Sequence, residues 1–325
     1  MSSSTSSFRT ELKVGALVLL VLAGGELFMR LSERLLSLDV QHIRRIPSIA
    51  EDMTRGEGRR VLFLGNSMTR NGVDARVVEN ELRAQGLTEP LRIERVYPDA
   101  TALAEWYYAF NHYFVAAGRL PDVLIIGFAA NDLSDNRPPQ PSQLAQYYTG
   151  ARDVPEVFAR DVKDFEGRAE FLLSGLSVSF ANRTRVRERA LDMLIPHYRE
   201  SAQEINRALQ AMKKKGGASF ALTYRRLELL GRLAASRGVC VILVAMPQRE
   251  PYELDPQLQP IIERAGMTFT DARAPSGLGG EGFVDEMHLS PNGAAIYSRY
   301  LARQLASPLR YILAQAHPTE AGARP

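Results

Sequence analysis

A single cysteine, a single tryptophan and five histidines are sparse for 325 residues, and each scarcity closes off a chemistry. Cys240 alone allows no intramolecular disulfide, and its setting in the apolar run "GVCVILVAMP" predicts a buried, inert thiol. No two of the histidines and the cysteine stand at metal-ligand spacing, which speaks against zinc. His112, inside the aromatic stretch "EWYYAFNHYF", reads as a packing residue. The sequence is read as having no phosphate loop and no Gly-x-Gly-x-x-Gly fingerprint, so no cofactor is implied. Excess charge of one sign is missing too: 40 Lys and Arg against 37 Asp and Glu leave a formal +3, with the arginines scattered. Without a basic tract or an aromatic-basic stripe, nucleic acid is not an expected partner.

Long apolar runs are equally scarce, and the main one is N-terminal. After "MSSSTSSFRTELK" comes "VGALVLLVLAGG", twelve uncharged residues from Val14 to Gly25, followed by Glu26 and Arg30. Counted to Leu31 the segment would be about 27 Å of helix, just enough for a hydrocarbon core of about 30 Å. A cleaved signal peptide would fit the apolar length, but the small-x-small cleavage pattern is poor, which favours an uncleaved anchor over residues 1–35. An amphipathic or core helix is the remaining alternative. Arg9 and Lys13 precede the segment, while Arg30, Arg34, Arg44 and Arg45 lie after it. By the positive-inside rule that weakly opposes export of the chain beyond the segment.

Residues 36–60 are charged and mixed and read as a stalk and linker. From "VLFLG" (61–65) onward strands and helices alternate: "VDARVVENELRAQG" helical, "LRIERVYP" a strand, "ATALAEWYYAFNHYFVAAG" helical, "PDVLIIGFAA" a buried strand. That alternation predicts a parallel sheet covered on both faces. The rhythm breaks over 137–217, where "RPPQPSQ" opens a helical, Arg-rich insertion or lid. It resumes with "SFALTYRRLELLGRLAASRG", "VCVILVAMP", "MTFTDA" and a last helix "SPNGAAIYSRYLARQLASPL". The main domain would then occupy 61–310, with a flexible tail over 311–325.

Three strand ends offer chemistry: Ser67 in "FLGNS", Asn131 in "GFAAND", and Asp285 with His288 in "DEMHLSPNG". In a parallel sheet the carboxyl ends of the strands share one edge, so residues distant in sequence can meet there. A serine hydroxyl needs a base to become a nucleophile. His288 could take its proton while Asp285, three residues earlier, orients the imidazole. Asn131 and the backbone N–H of Ser67 could serve a developing oxyanion. Taken singly, each has an ordinary reading: a turn at Gly-Asn-Ser, a turn or cap at Asn-Asp, a structural or surface histidine. The combination, in the order Ser, Asn, Asp, His, favours catalysis. "GNSMT" is not the Gly-x-Ser-x-Gly elbow of the α/β-hydrolases.

"FLGNSMTRNG", "GFAAND" and "DEMHLSPNG" resemble the first, third and fifth blocks of the SGNH, or GDSL, hydrolases. The resemblance covers about 61–305 with the insertion unmatched. It implies a flavodoxin-like three-layer α/β/α sandwich with a parallel sheet, Ser67 as nucleophile, Asp285 and His288 as its catalytic partners, and Asn131 as oxyanion donor. Asn66 stands where many members have Asp. The glycine usual after the second strand is absent, and "RVYPDATALAEW" places Asp99 near it. Its backbone N–H is carried over only weakly, against an equal reading of Asp99 as a turn and N-cap residue.

Anchored single-span members of this kind resemble the bacterial envelope group that includes alginate acetylation proteins and the D-alanyl-transfer protein of teichoic-acid synthesis. That likeness implies an acylated carbohydrate or other acyl ester as substrate, a polytopic membrane acyltransferase as a possible partner, and a periplasmic or other extracytoplasmic catalytic domain on the bacterial inner membrane. Water as acyl acceptor would make an esterase, a sugar hydroxyl an O-acyltransferase. A non-catalytic envelope scaffold that binds glycan or a membrane acyltransferase is the competing expectation.

Overall fold

The computed structural model describes residues 4–198, 200–202, 204–205 and 222–315. In chain order its main elements are α1 (Ser4–Ser32), α2 (Leu38–Ile43), α3 (Ile46–Met53), β1 (Arg59–Leu64), α4 (Ser67–Gly72), α5 (Ala75–Ala84), β2 (Leu91–Val96), α6 (Leu103–Phe110) and β3 (Val123–Phe128). Then come α7 (Phe165–Leu176), α8 (Val178–Ala181), α9 (Arg183–Leu194), α10 (Arg225–Ala235), β4 (Cys240–Ala245), α11 (Leu258–Arg264), β5 (Thr268–Asp271) and α12 (Pro291–Gln315). They fall into two compact units. One comprises residues 1–41, 140–147 and 157–220, and the other residues 42–139, 148–156 and 221–325.

The second unit is the expected sandwich. Its five strands are all parallel, in the order β2-β1-β3-β4-β5, the doubly-wound order in which ligands bind where the chain reverses direction, between β1 and β3. Strand alternation sorts the core into two layers. Val61, Phe63, Val123, Ile125, Ile242 and Val244 form one cluster with Val78 and Leu82 of α5 and Leu301, Leu305 and Leu309 of α12. Leu62, Leu64, Leu124, Ile126, Val241 and Leu243, paired across the same strands, point the other way. Helices α6 and α10 contact one another and bury Trp106, Phe110, Leu227 and Leu230.

Several elements depart from expectation. Helix α3, read as stalk, buries Ile46, Ile49, Ala50 and Met53 and contacts β2, so it adds to this core. His42 stacks on Tyr97 with ring centroids 3.7 Å apart, and its Nε2 accepts from the Tyr97 N–H at 3.0 Å. Burial, then Arg45, Arg95 and Arg70, lower its pKa to about 4 and keep it a neutral acceptor. Helix α12 continues through Pro308 to Gln315, at the loss of one backbone hydrogen bond, because Leu309, Ile312 and Leu313 are buried. The rest of the expected tail, 316–325, lies outside the described residues, as do 206–221 of the insertion and its approach to α10. Cys240 is exposed rather than buried, since it is the first residue of β4; desolvation and then Asp122 push its thiol pKa up. His112 is exposed and lies edge-to-face with Tyr113, with ring centroids 4.8 Å apart.

The first unit holds α1, α7, α8 and α9. Its helix α1 carries the stretch Thr10–Leu35, long and apolar enough to cross a membrane and unburied by the rest of the chain. Glu26 on α1 accepts from Ser177 Oγ at 2.8 Å, from the Val178 N–H at 2.8 Å and from the Ser179 N–H at 3.1 Å. It also pairs with Arg30, whose guanidinium reaches the Leu176 carbonyl at 3.1 Å. Arg189 of α9 donates to the carbonyls of Leu35 and Leu36. The insertion helices are thus tied to one end of α1.

Candidate active site

Strand β1 ends in glycine for a steric reason. A Cβ at Gly65 would stand 2.1 Å from Thr69 Oγ1 and 3.0 Å from the Gly127 carbonyl oxygen. Only the absence of a side chain lets the chain turn from the strand into α4 with Ser67 as its first residue. Asn66 caps that helix through the Met68 N–H at 3.0 Å. The Ser67 N–H makes no hydrogen bond among the described residues and is left available at a helix start, where dipoles favour negative charge.

The loop before α12 supplies the partners. Ser67 Oγ lies 2.7 Å from His288 Nε2, and His288 Nδ1 lies 2.7 Å from Asp285 Oδ2. Asp285 Oδ1 also accepts from the N–H groups of Met287 at 2.9 Å and His288 at 2.8 Å. One carboxylate thereby folds the turn and orients the ring. Burial works to raise the Asp285 carboxyl, but the bonds from the His288 ring and the two backbone N–H groups outweigh it and hold it below the ordinary carboxylate range. It is ionised throughout the neutral range. Leu289, next in the chain, is buried in the core and pins the loop. The Arg249 N–H holds the Glu286 carbonyl from the segment after β4.

The loop also needs two glycines. A Cβ on Gly293 would stand 2.0 Å from the Gly282 carbonyl oxygen, which itself accepts from Ser290 N–H at 2.8 Å. Gly293→Ala is therefore expected to push the loop carrying Asp285 and His288 away from α12. A misplacement of about 1 Å costs on the order of 100-fold in rate, so any turnover that depends on His288 should fall by about that factor. A variant with wild-type turnover would show that the loop does not depend on this approach. Contrary to the sequence reading, Gly277, Gly279 and Gly282 do spell a Gly-x-Gly-x-x-Gly string, but it runs through this loop with a single 3-10 turn at Gly280–Gly282 and opens no α-helix after a strand.

Asn131 and Asp99 occupy the turns after β3 and β2. Among the described residues the Asn131 side chain is not hydrogen-bonded to Ser67, His288 or Asp285. Asn131 is exposed, its carbonyl held by the Ser134 N–H at 3.0 Å. Its carboxamide has no partner among the described residues. Asp99 does not cap α6; Ala102 does, its N–H bonded to Glu105 at 3.1 Å. Instead Asp99 forms an ion pair with Arg70 at 2.5 Å, and a neutralised carboxylate opposes a neighbouring oxyanion far less than a bare one.

Four features beside the site escape a reading of the sequence. Asn66 Nδ2 donates to Asp132 Oδ2 at 3.2 Å and to the Thr101 carbonyl at 3.3 Å, joining the turns after β1, β2 and β3. Asp132 is buried, accepts from the Ala129 N–H at 3.1 Å and pairs with Arg137. Burial pushes its carboxyl up against those stabilising partners. An aspartate at 66 would set two carboxylates face to face, which accounts for the amide there. Ala100 and Ala130, at φ 57° and 45°, hold the left-handed conformation in the turns after β2 and β3, at a cost of roughly 1–2 kcal/mol each. Ala100 directly follows Asp99, so the backbone keeps a conformation suited to glycine where no glycine stands. Among the described residues no group of His, Cys, Asp and Glu is arranged to hold a metal ion.

No protein-family model matches the chain, and no curated protein matches it. Among solved structures it is similar to Axe2, an acetylxylan esterase from Geobacillus stearothermophilus, at 15% identity over 78% of this chain and 96% of that one, with a TM-score of 0.39. It is also similar to a lipase/acylhydrolase from Enterococcus faecalis, at 14% identity over 77% of this chain and 96% of that one, with a TM-score of 0.38. Likeness at that level carries no functional information. The chain's own sheet order and the helices on both faces give it a doubly-wound, flavodoxin-like α/β/α sandwich, and Ser67, His288 and Asp285 meet beside its β1–β3 switch point.

Proposed function

We propose that the chain is a serine esterase or O-acyltransferase, anchored in a membrane by α1 and acting through an acyl-enzyme on Ser67. The observation that carries this reading is the continuous hydrogen-bonded line from Ser67 Oγ through the imidazole of His288 to Asp285. In the first step Oγ attacks the ester carbonyl and its proton passes to Nε2. The tetrahedral oxyanion is received by the Ser67 N–H and the Asn131 carboxamide, with the Asp99 N–H a weaker third candidate. One such donor is worth roughly 3–4 kcal/mol of barrier. The leaving alcohol then takes the proton from Nε2 as the C–O bond breaks. A second hydroxyl, from water or a sugar, gives its proton to Nε2 and attacks the acyl-enzyme, and as the acyl–Oγ bond breaks Ser67 Oγ takes that proton back from Nε2.

The sequence blocks and the N-terminal helix together support an acylated cell-envelope carbohydrate as substrate or acceptor. They also support a bacterial inner-membrane location with the catalytic domain on the periplasmic side, and a polytopic acyltransferase as partner. The test is p-nitrophenyl acetate with the full chain in detergent, with and without an oligosaccharide acceptor, reading p-nitrophenol and acetylated sugar. Ser67-dependent release to water alone makes the protein an esterase, and Ser67-dependent acetylated sugar makes it a transferase. If neither product depends on Ser67, the reading fails.

A further inference from the structure

The insertion displays apolar side chains that nothing in its own unit covers. Helix α7 already buries one face, through Gly167, Phe171 and Ser174. On its other side Phe165 is 87% exposed and Leu176 is 76% exposed, with Leu172 between them at helical spacing, also exposed. Helix α9 has no buried residue, and Met193 and Leu194 at its end are 74% and 78% exposed. The same helix is rich in arginine. Arg183 pairs with Glu170 and Arg185 with Asp39, whereas Arg187 is exposed and makes no ion pair among the described residues. An apolar stripe flanked by arginine is the composition of a helix that lies in a lipid head-group layer.

The link to α1 fixes where these helices lie. The uncharged run Val14–Gly25 is about 18 Å long as a helix, well short of a hydrocarbon core of about 30 Å. A crossing helix must therefore continue past Glu26 to about Leu31, which sets Glu26 about 8 Å inside the hydrocarbon edge. A carboxylate is costly there unless paired. Here it is paired, with Arg30 and with the first residues of α8. Those residues directly follow Leu176, so in a crossing α1 the end of α7 would share the depth of Glu26, just inside the hydrocarbon edge.

We infer that the insertion is a membrane-interface element: the exposed faces of α7 and α9 lie against lipid beside the point where α1 leaves the bilayer, with Arg187 at the phosphates. The inference rests on the proposed role of α1 as anchor. Its occupant is the bilayer surface, because the apolar face is tied to the end of a candidate membrane helix and is flanked by cationic groups.

The test uses the full chain with Cys240→Ser, reconstituted into phosphatidylethanolamine and phosphatidylglycerol vesicles and labelled with a polarity-sensitive fluorophore at one introduced cysteine. Leu172→Cys, Leu176→Cys and Leu194→Cys report on the insertion. Val18→Cys reports on the anchor and Glu188→Cys on the polar side of α9. Lipids with nitroxide on the acyl chain are expected to remove most of the emission at 172, 176, 194 and 18, and little at 188. Quenching at 18 alone, with the insertion labels in water, overturns the inference and leaves the anchor standing. Insertion labels that are shielded yet unquenched by spin-labelled lipid also overturn it, since a protein surface or a second copy then covers them. Water exposure at 18 removes the anchor, and the inference with it.

Discussion

Ser67→Ala is expected to lower p-nitrophenyl acetate turnover at least about 10⁴-fold, the scale on which serine nucleophiles fail when their oxygen is removed. No other hydroxyl is hydrogen-bonded to His288 Nε2 among the described residues, so no second oxygen can inherit the activated position. Folding should hardly change. The Ser67 side chain is partly exposed and its one hydrogen bond is to His288, and the start of α4 is secured by Asn66 rather than by Ser67. A substitution that creates no core cavity and removes no cap shifts stability by about 0.5 kcal/mol. A fluorophosphonate probe should label the wild type and leave the variant unmarked at an unchanged melting temperature. Equal labelling of both proteins would remove Ser67 from the chemistry and bring the non-catalytic scaffold forward.

The parts of the site that a sequence discloses are those with local signals. Strands β1, β3 and β4 are short continuous apolar runs because both faces of the sheet are covered, and such runs are recognisable without any partner. Ser67 follows a strand and a glycine, and Asp285 and His288 share one turn, so three residues with recognisable settings converge once the sheet is assembled. The support around them has no local signature. Asn66 with Asp132 and Arg70 with Asp99 are pairs 66 and 29 residues apart in the chain. Nothing near either member announces the other, and Asn131-Asp132 reads locally as a turn. Elements with proline near the start are hidden for a different reason. Helix α3 has Pro47 and α11 has Pro260 in the first turn, where the missing N–H costs nothing, yet proline in a short charged stretch resembles a break. Cys240 shows the opposite error: an apolar run marks a strand but not which of its ends is open to water.

Asp285→Asn should cost about 10⁴-fold in turnover while leaving the fold intact, the size of loss seen when a triad histidine is held in the wrong tautomer. In the wild type, Oδ1 of Asp285 accepts two backbone N–H groups and Oδ2 faces His288 Nδ1. Nδ1 must then carry the ring proton, so that Nε2 is a bare acceptor toward Ser67 Oγ. An asparagine would keep its carbonyl oxygen on the two N–H groups, since its amide nitrogen cannot accept them, and would turn that nitrogen toward Nδ1. Facing a donor, Nδ1 would give up its proton to Nε2, and Nε2 would point an N–H at Ser67 where a base is needed. The turn itself would survive, because both backbone bonds are retained. The expected result is lost turnover and lost fluorophosphonate labelling at an unchanged melting temperature. Asp285→Ala, which removes the acceptor of both N–H groups as well, should lose stability in addition. An Asp285→Asn variant with near wild-type turnover would show that the carboxylate serves the turn and that His288 takes its tautomer from elsewhere.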